Sequence, residues 1–353
     1  MAPSPVHLQR ILICRTDNIG DVVLTLPLVG YLKSRFPDAQ IDMLCRPYAA
    51  PVVRHCRFVD HVIAPGAEDD LLQVLAQGDY DTVIFAFPDR RLARAAKQAR
   101  IRNRVGTSHR LFHLFNCNKL AYFSRARSPL HEAQLNFALL RPLGMDVRPS
   151  LQELPPYYGL SAPRNEAVLA LREREGCYFI LHPKSNNNGR EWPLDHYTHL
   201  ARDLVAYPHI HFWVTGSAAE GQLLQAQAAE LLALPNVINL CGKFDLDGLT
   251  ALIGAADGLV ASGTGPLHIS AALGRPTLGL FPPLKPIDPA RWGALGTQAR
   301  SLCRPQACAG CPGADACACM RALAPDMVRQ VLLEWAGEHE ASASADGSGS
   351  SIV

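Results

Sequence analysis

Two carboxylates and an arginine crowd the stretch CRTDNIGDVVLTLP at residues 14–27. An apolar run, Val6 to Cys14, leads in. Arg15, Thr16, Asp17 and Asn18 form a polar turn, and Gly20 and Asp21 open a second apolar run. A carboxylate in such a turn can take the proton of a hydroxyl held beside it. It can equally serve as a first-turn residue that stabilises its helix by about 0.3–1 kcal/mol. In either role the helix N-terminus is expected to hold the Asp21 pKa below the ordinary carboxylate value. Asp17, in the same turn, is the second candidate base.

Three later stretches carry the chemistry of phosphate or sugar binding. In ASGTGPLHISAALG, residues 261–274, an apolar run ends at Ala261; Ser262, Gly263, Thr264 and Gly265 follow, and Pro266 suits the first position of a helix. Glycines there let backbone approach a ligand, and a helix N-terminus offers free N–H groups to an anion. A tight strand-to-helix turn would use the same residues. In HPKSNNNGREWPLDHY, residues 182–197, Lys184 or Arg190 could clamp a phosphate, and Ser185 lies in the same polar loop. A solvated loop anchored by Trp192 is the other reading. In VTGSAAEGQLL, residues 214–224, Glu220 could accept from a ribose or sit in a first helical turn.

These stretches need strands to end where they begin. Strand-like runs lie near 10–15, 41–46, 61–64, 82–87 and 104–106, with helical patterns between them at Val22–Arg35 and Leu71–Gln77. After a Pro- and Tyr-rich linker, 151–163, the alternation restarts with strands at 178–182, 210–215, 237–240, 258–261 and 277–281. Helices 194–205, 220–233, 246–255 and 266–273 separate these strands. Repeated strand–helix units predict parallel sheets covered on both faces. Two series predict two doubly wound, Rossmann-like domains whose ligands lie in an interdomain cleft. The boundaries read 1–155, 156–325, a C-terminal helix at 326–339 that could pack back on the first domain, and a disordered Ala/Ser/Gly-rich tail at 340–353.

The composition, 48% hydrophobic and 19% charged over 353 residues with net charge +2, is that of a soluble globular chain. No apolar run reaches the length of a transmembrane helix, and residues 1–9 lack a signal-peptide pattern, so a cytoplasmic location is expected. Residues 90–130 hold eleven Lys and Arg and no Asp or Glu. That window is either a solvated face or a surface for an anionic partner. It has few aromatics and no recognised nucleic-acid motif, so nucleic acid is not expected. Cys303, Cys308, Cys311, Cys317 and Cys319 crowd residues 303–319. Their spacing fits no standard zinc pattern, and structural thiols are favoured over a metal site.

Taken together, RTDNIGDVVLTLP, HPKSNNNGREWPLDHY and GTGPLHISAALGRPTLGLF, in this order, resemble the signatures of glycosyltransferase family 9, the bacterial heptosyltransferases of lipopolysaccharide core synthesis. The resemblance spans about residues 10–336. It implies an α/β GT-B fold, an ADP-heptose donor, an inverting, metal-independent transfer with no cofactor, and an anionic lipopolysaccharide core acceptor. A peripheral contact with the inner membrane is compatible with it. By position it implies Asp21 as general base and Arg190 at the donor diphosphate. Glu220 falls at the ribose, and Thr264, Gly265 and the following helix, with His268, at the pyrophosphate. Lys184, Ser185 and Gly263 fall on the donor side, and Arg15, Asp17, Gly20, Arg90 and Arg91 on the acceptor side. Gly263 stands where many members carry Asp, which leaves open another nucleotide-sugar donor or a non-catalytic sugar-nucleotide-binding protein.

Overall fold

A computed structural model describes residues 8–125, 127–172, 175–185, 189–306, 308 and 317–347, with side chains as far as 337. The chain divides into two compact units, Met1–Ala162 and Pro163–Val353. Each is built on one parallel six-stranded sheet.

In the first unit the strands are β1 (Arg10–Cys14), β2 (Gln40–Leu44), β3 (Val62–Ile63), β4 (Thr82–Phe85), β5 (Asn103–Thr107) and β6 (Lys119–Ala121). They lie in the order β3-β2-β1-β4-β5-β6. In the second unit β7 (Cys177–His182), β8 (Ile210–Val214), β9 (Val237–Asn239), β10 (Gly258–Ser262), β11 (Thr277–Phe281) and β12 (Ala299–Cys303) lie in the order β12-β11-β10-β7-β8-β9. The two orders are the same pattern repeated. The central strands are near-continuous apolar runs, such as Ile11–Cys14 and Phe179–Leu181, because helices cover both faces of each sheet. In such a sheet the order reverses between two neighbouring central strands, β1 and β4 in one unit, β7 and β10 in the other. The crevice at their carboxyl ends is where ligands bind.

Two strands escaped the sequence reading. β6 has only three residues, and β12 is an edge strand whose Arg300 and Ser301 are exposed, so neither shows an apolar run. The helix expected over Val22–Arg35 is two helices, Ile19–Val23 and Leu26–Arg35. Pro27 sits in the first turn of the second, where its missing N–H costs nothing.

Residues 156–162 group with the first unit: Leu160 bridges Cys56, and the Arg57 N–H donates to the Gly159 carbonyl at 2.9 Å. The C-terminal helix, Pro325–Gly347, packs on the second unit. Val328, Leu332 and Trp335 enter that unit's core, and the Trp335 ring lies 6.2 Å from that of Phe179. It is helical past residue 339, as far as the described residues reach, in the stretch expected to be disordered, because the alternating alanines there are good helix formers. No helix among the described residues is long and apolar enough to cross a membrane.

Candidate active site

The first unit gathers a buried charge cluster at the carboxyl ends of β1 and β4. Arg15 follows β1 directly and is 3% exposed. Its Nε donates to Asp17 at 2.7 Å, its Nη2 pairs with Asp21, and its Nη1 lies 3.2 Å from Glu132 and 3.3 Å from both the Ala86 carbonyl and the Asn136 side-chain oxygen. Each guanidinium nitrogen therefore already donates within the unit. These contacts fix the Arg15 guanidinium against Asp21 and Asp17.

Glu132, 1% exposed, also pairs with Arg125, whose Nη2 donates to the Ala86 carbonyl at 3.0 Å and to Asn136 at 3.1 Å. Asn136 reaches back to the Leu24 carbonyl at 3.1 Å, locking the helix Glu132–Phe137 against the turn that carries Asp21. Sequence reasoning missed Glu132 and Asn136. They lie more than a hundred residues from Asp21, and a single Glu in a helical first turn carries no sequence signal of its own.

Asp21 sits on the short helix Ile19–Val23 with 14% of its side chain exposed. The expected low pKa is overturned. Burial pushes Asp21 up to about 6, with Arg15 opposing and Asp17 adding to the rise. Desolvation of the carboxylate outweighs two cations, Arg15 and Arg125. A base that titrates near 6 is better matched to neutral pH than one held below 4. If Asp21 must be ionised to act, activity falls as pH drops through about 6. A pH profile of kcat/KM checks this; an acid limb that stays near the ordinary carboxylate value would separate Asp21 from the reaction. Asp17 remains within the same cluster, and Tyr48 donates to its backbone carbonyl at 2.8 Å. Gly20 is buried beside Asp21, while Arg90 and Arg91 are exposed at the start of the helix Arg90–Gln98.

In the second unit the loop after β7 and the turn after β10 meet. A side chain added at Gly189 would lie 3.3 Å from the Gly263 carbonyl. Within the loop, Lys184 pairs with Glu191. The Ser185 backbone N–H donates to Glu191 at 2.8 Å, and its hydroxyl donates to the Gly189 carbonyl at 3.1 Å. Glu191, unnoticed in the sequence, thus folds the loop and engages Lys184. Residues 186–188 lie outside the described residues.

Arg190 differs from Lys184. Its Nε is buried with no partner among the described residues, and so are the Ser262 and Thr264 hydroxyls. Buried polar atoms are ordinarily satisfied, so two unsatisfied hydroxyls at the junction after β10, and one guanidinium nitrogen in the loop whose Gly189 lies against Gly263, leave hydrogen-bonding capacity for a ligand. The helix Gly265–Ala272 starts there with Pro266 in its first turn, and His268 is buried on it. Trp192 is structural: it is buried and donates to the Leu323 carbonyl at 2.8 Å.

Glu220 forms a capping box, accepting from the Ser217 N–H at 2.7 Å while its own N–H donates to Ser217 Oγ at 3.2 Å. His182, buried and bonded to Thr215 at 2.9 Å, is pushed down to about 4 and stays neutral. The space beside Gly263 is closed on one side by Phe281, whose ring would stand 3.0 Å from an added Cβ.

Of the clustered cysteines, Cys317 is buried in the second unit's core with Cys319 packed against it. Cys303 ends β12, Cys308 is partly buried, and Cys311 lies outside the described residues. Among the described residues no group of three or more His, Cys, Asp or Glu is placed to hold a metal.

Each unit is a doubly wound parallel sheet with polar side chains gathered where its strand order reverses, and the comparisons with known proteins say which family shares this architecture. Residues 70–316 match the model of glycosyltransferase family 9 (heptosyltransferase), and the chain belongs to that family. It is 27% identical over 302 residues to a provisionally assigned glycosyltransferase of Haemophilus influenzae, covering 81% of this chain and 86% of that one. It is 25% identical over 309 residues to lipopolysaccharide heptosyltransferase 2 of Escherichia coli, covering 79% and 84%. The solved structure of E. coli ADP-heptose lipopolysaccharide heptosyltransferase II superposes with a TM-score of 0.71 at 21% identity, over 94% of this chain and all of that one. The fold is thereby GT-B, and the chain is a glycosyltransferase.

Proposed function

We propose that this enzyme transfers a heptose, with inversion, from ADP-heptose to a hydroxyl of an anionic lipopolysaccharide core acceptor, needing neither a metal nor another cofactor. The observation that carries this reading is the set of unsatisfied buried donors, Arg190 Nε with the Ser262 and Thr264 hydroxyls. Their number and chemistry fit the oxygens of a diphosphate, and the helix beginning at Gly265 adds backbone N–H groups aimed at negative charge.

In the reaction, Asp21 takes the acceptor proton as the hydroxyl oxygen bonds to the anomeric carbon. The bond from that carbon to the diphosphate oxygen breaks on the opposite face, which inverts the configuration. The electron pair leaves with ADP, whose added charge Arg190 and the Thr264–Gly265 junction receive. Exposed Arg90 and Arg91 would meet the acceptor's phosphates and carboxylates. Glu220, already satisfied by Ser217, has one carboxylate oxygen left to accept from a ribose hydroxyl.

Arg190→Ala is expected to raise the donor KM at least about tenfold, the usual scale for losing a charge-assisted contact. Steady-state kinetics with ADP-heptose check it, and an unchanged donor KM would argue against the diphosphate contact. Gly263 with Phe281 favours a second reading of the sugar alone: the ring occupies room that a longer residue at 263 would need, so another ADP-linked sugar fits the same phosphate site.

A further inference from the structure

The helix Leu111–Asn116 of the first unit turns an apolar ridge outward. Phe112 packs against the core and His113 is fully buried, whereas Leu111, Leu114 and Phe115 are 71%, 47% and 67% exposed. Their spacing of three and four residues puts them on one face of the helix. Tyr122, 76% exposed, follows β6. The Ser108 N–H donates to the Ala121 carbonyl at 3.0 Å, which brings that strand end beside the turn leading into Leu111. Single exposed apolar residues are ordinary, but four large ones gathered in one region mark a contact surface.

A basic stripe lies alongside. The helix Arg90–Gln98 packs against Leu111–Asn116 and exposes Arg90, Arg91, Arg94 and Lys97. Lys97 Nζ donates to the Phe115 carbonyl at 2.8 Å, tying the end of the stripe to the ridge. The one-signed charge of residues 90–130 is thus divided by the fold. Arg104 and Arg125 are held inside by backbone carbonyls, while the arginines of the stripe face outward.

We infer that this face docks the enzyme on an anionic lipid bilayer, the ridge inserting at headgroup depth and Arg94 and Lys97 of the stripe lying over the lipid phosphates. Apolar side chains flanked by Lys and Arg are the pattern of an interfacial anchor. A second copy of the chain fits less well, since a two-fold contact here would set the arginine stripes near each other. The link to catalysis, delivery of the enzyme to a lipid-linked acceptor, rests on the function proposed above; binding to lipid does not.

The test is co-sedimentation of the full chain with vesicles of phosphatidylethanolamine and phosphatidylglycerol, against vesicles of phosphatidylcholine. Wild-type protein is expected to partition onto the anionic vesicles and to be released by salt. The triple variant Leu111→Ser, Leu114→Ser, Phe115→Ser should lose at least about tenfold in partition with its unfolding temperature unchanged. Arg94→Glu should lose less, and the loss should shrink in high salt. Equal partition of wild type and triple variant, or no preference for anionic lipid, overturns the inference. So does a wild-type dimer in lipid-free sedimentation that the triple variant turns into monomer. Transfer to a delipidated, soluble acceptor should be the same for wild type and triple variant. Vesicle partition reads the surface and this rate reads the reaction, so failure of one is told apart from failure of the other.

Discussion

Asp21→Asn is expected to lower the transfer rate by roughly 10²–10⁴-fold, the usual worth of a positioned general base. The amide keeps the size of the carboxylate and can still accept from Arg15 Nη2, so the cluster should stay assembled. Folding should not suffer. The folded-state pKa of Asp21 lies near 6, above the ordinary value of 3.8. The folded chain therefore binds more protons than the unfolded chain between these values, and this group's contribution to stability falls as pH rises through that window. Above pH 6 wild-type Asp21 carries a burial cost that Asn lacks, and the variant's unfolding temperature should be no lower than wild type at pH 7.5. Donor KM should be unchanged, because the diphosphate contacts proposed above come from other residues. Steady-state kinetics and thermal unfolding on the same preparation check all three. Transfer at near wild-type rate would remove Asp21 from the mechanism and turn attention to Asp17.

Glu132→Ala should produce the largest loss of stability. The carboxylate is buried between Arg15 and Arg125, and its removal leaves Arg15 buried with one counter-charge fewer. Removing one member of a buried ion pair typically costs about 3–5 kcal/mol. The remaining partners, Asp17 and Asp21, keep part of the charge balance, which points to the lower end of that range. Activity should fall too, since Arg15 fixes Asp21 and Glu132 fixes Arg15. Glu132→Gln should recover part of both, because an amide oxygen still accepts from a guanidinium. Denaturant unfolding of the three proteins measures the effect, and a change below about 1 kcal/mol for Glu132→Ala would mean that the cluster does not hold this end of the unit together.

The fold was legible because parallel strands buried on both faces write apolar runs that need no partner to be seen. Tyr178–His182, Ile210–Val214 and Thr277–Phe281 stand out for that reason, while β6 and β12, short or at an edge, do not. The strand-to-helix junction after β10 was legible because glycine and proline are read locally. The ion-pair network was not. Arg15 finds Glu132 117 residues away, and nothing in the local spacing of either residue announces the other. The same limit explains the reversed pKa: a helix N-terminus can be read from sequence, but the burial that outweighs it comes from the fold.

The basic window was visible as a count of charges. Which arginines face solvent became clear only once Arg104 and Arg125 were seen to bond backbone carbonyls. Lys184 and Arg190 looked interchangeable as phosphate clamps until Glu191 was seen to engage the lysine.

The most direct measurement is thermal unfolding of the purified chain with ADP-, UDP- and GDP-linked sugars in parallel. A ligand at about 100 times its Kd adds about 2.7 kcal/mol of stability, which for a unit of this size raises the unfolding temperature by roughly 5–10 °C. ADP-heptose is expected to give that rise, and Arg190→Ala to reduce it. A rise with UDP- or GDP-sugars and none with any ADP-sugar would contradict ADP-heptose as the donor.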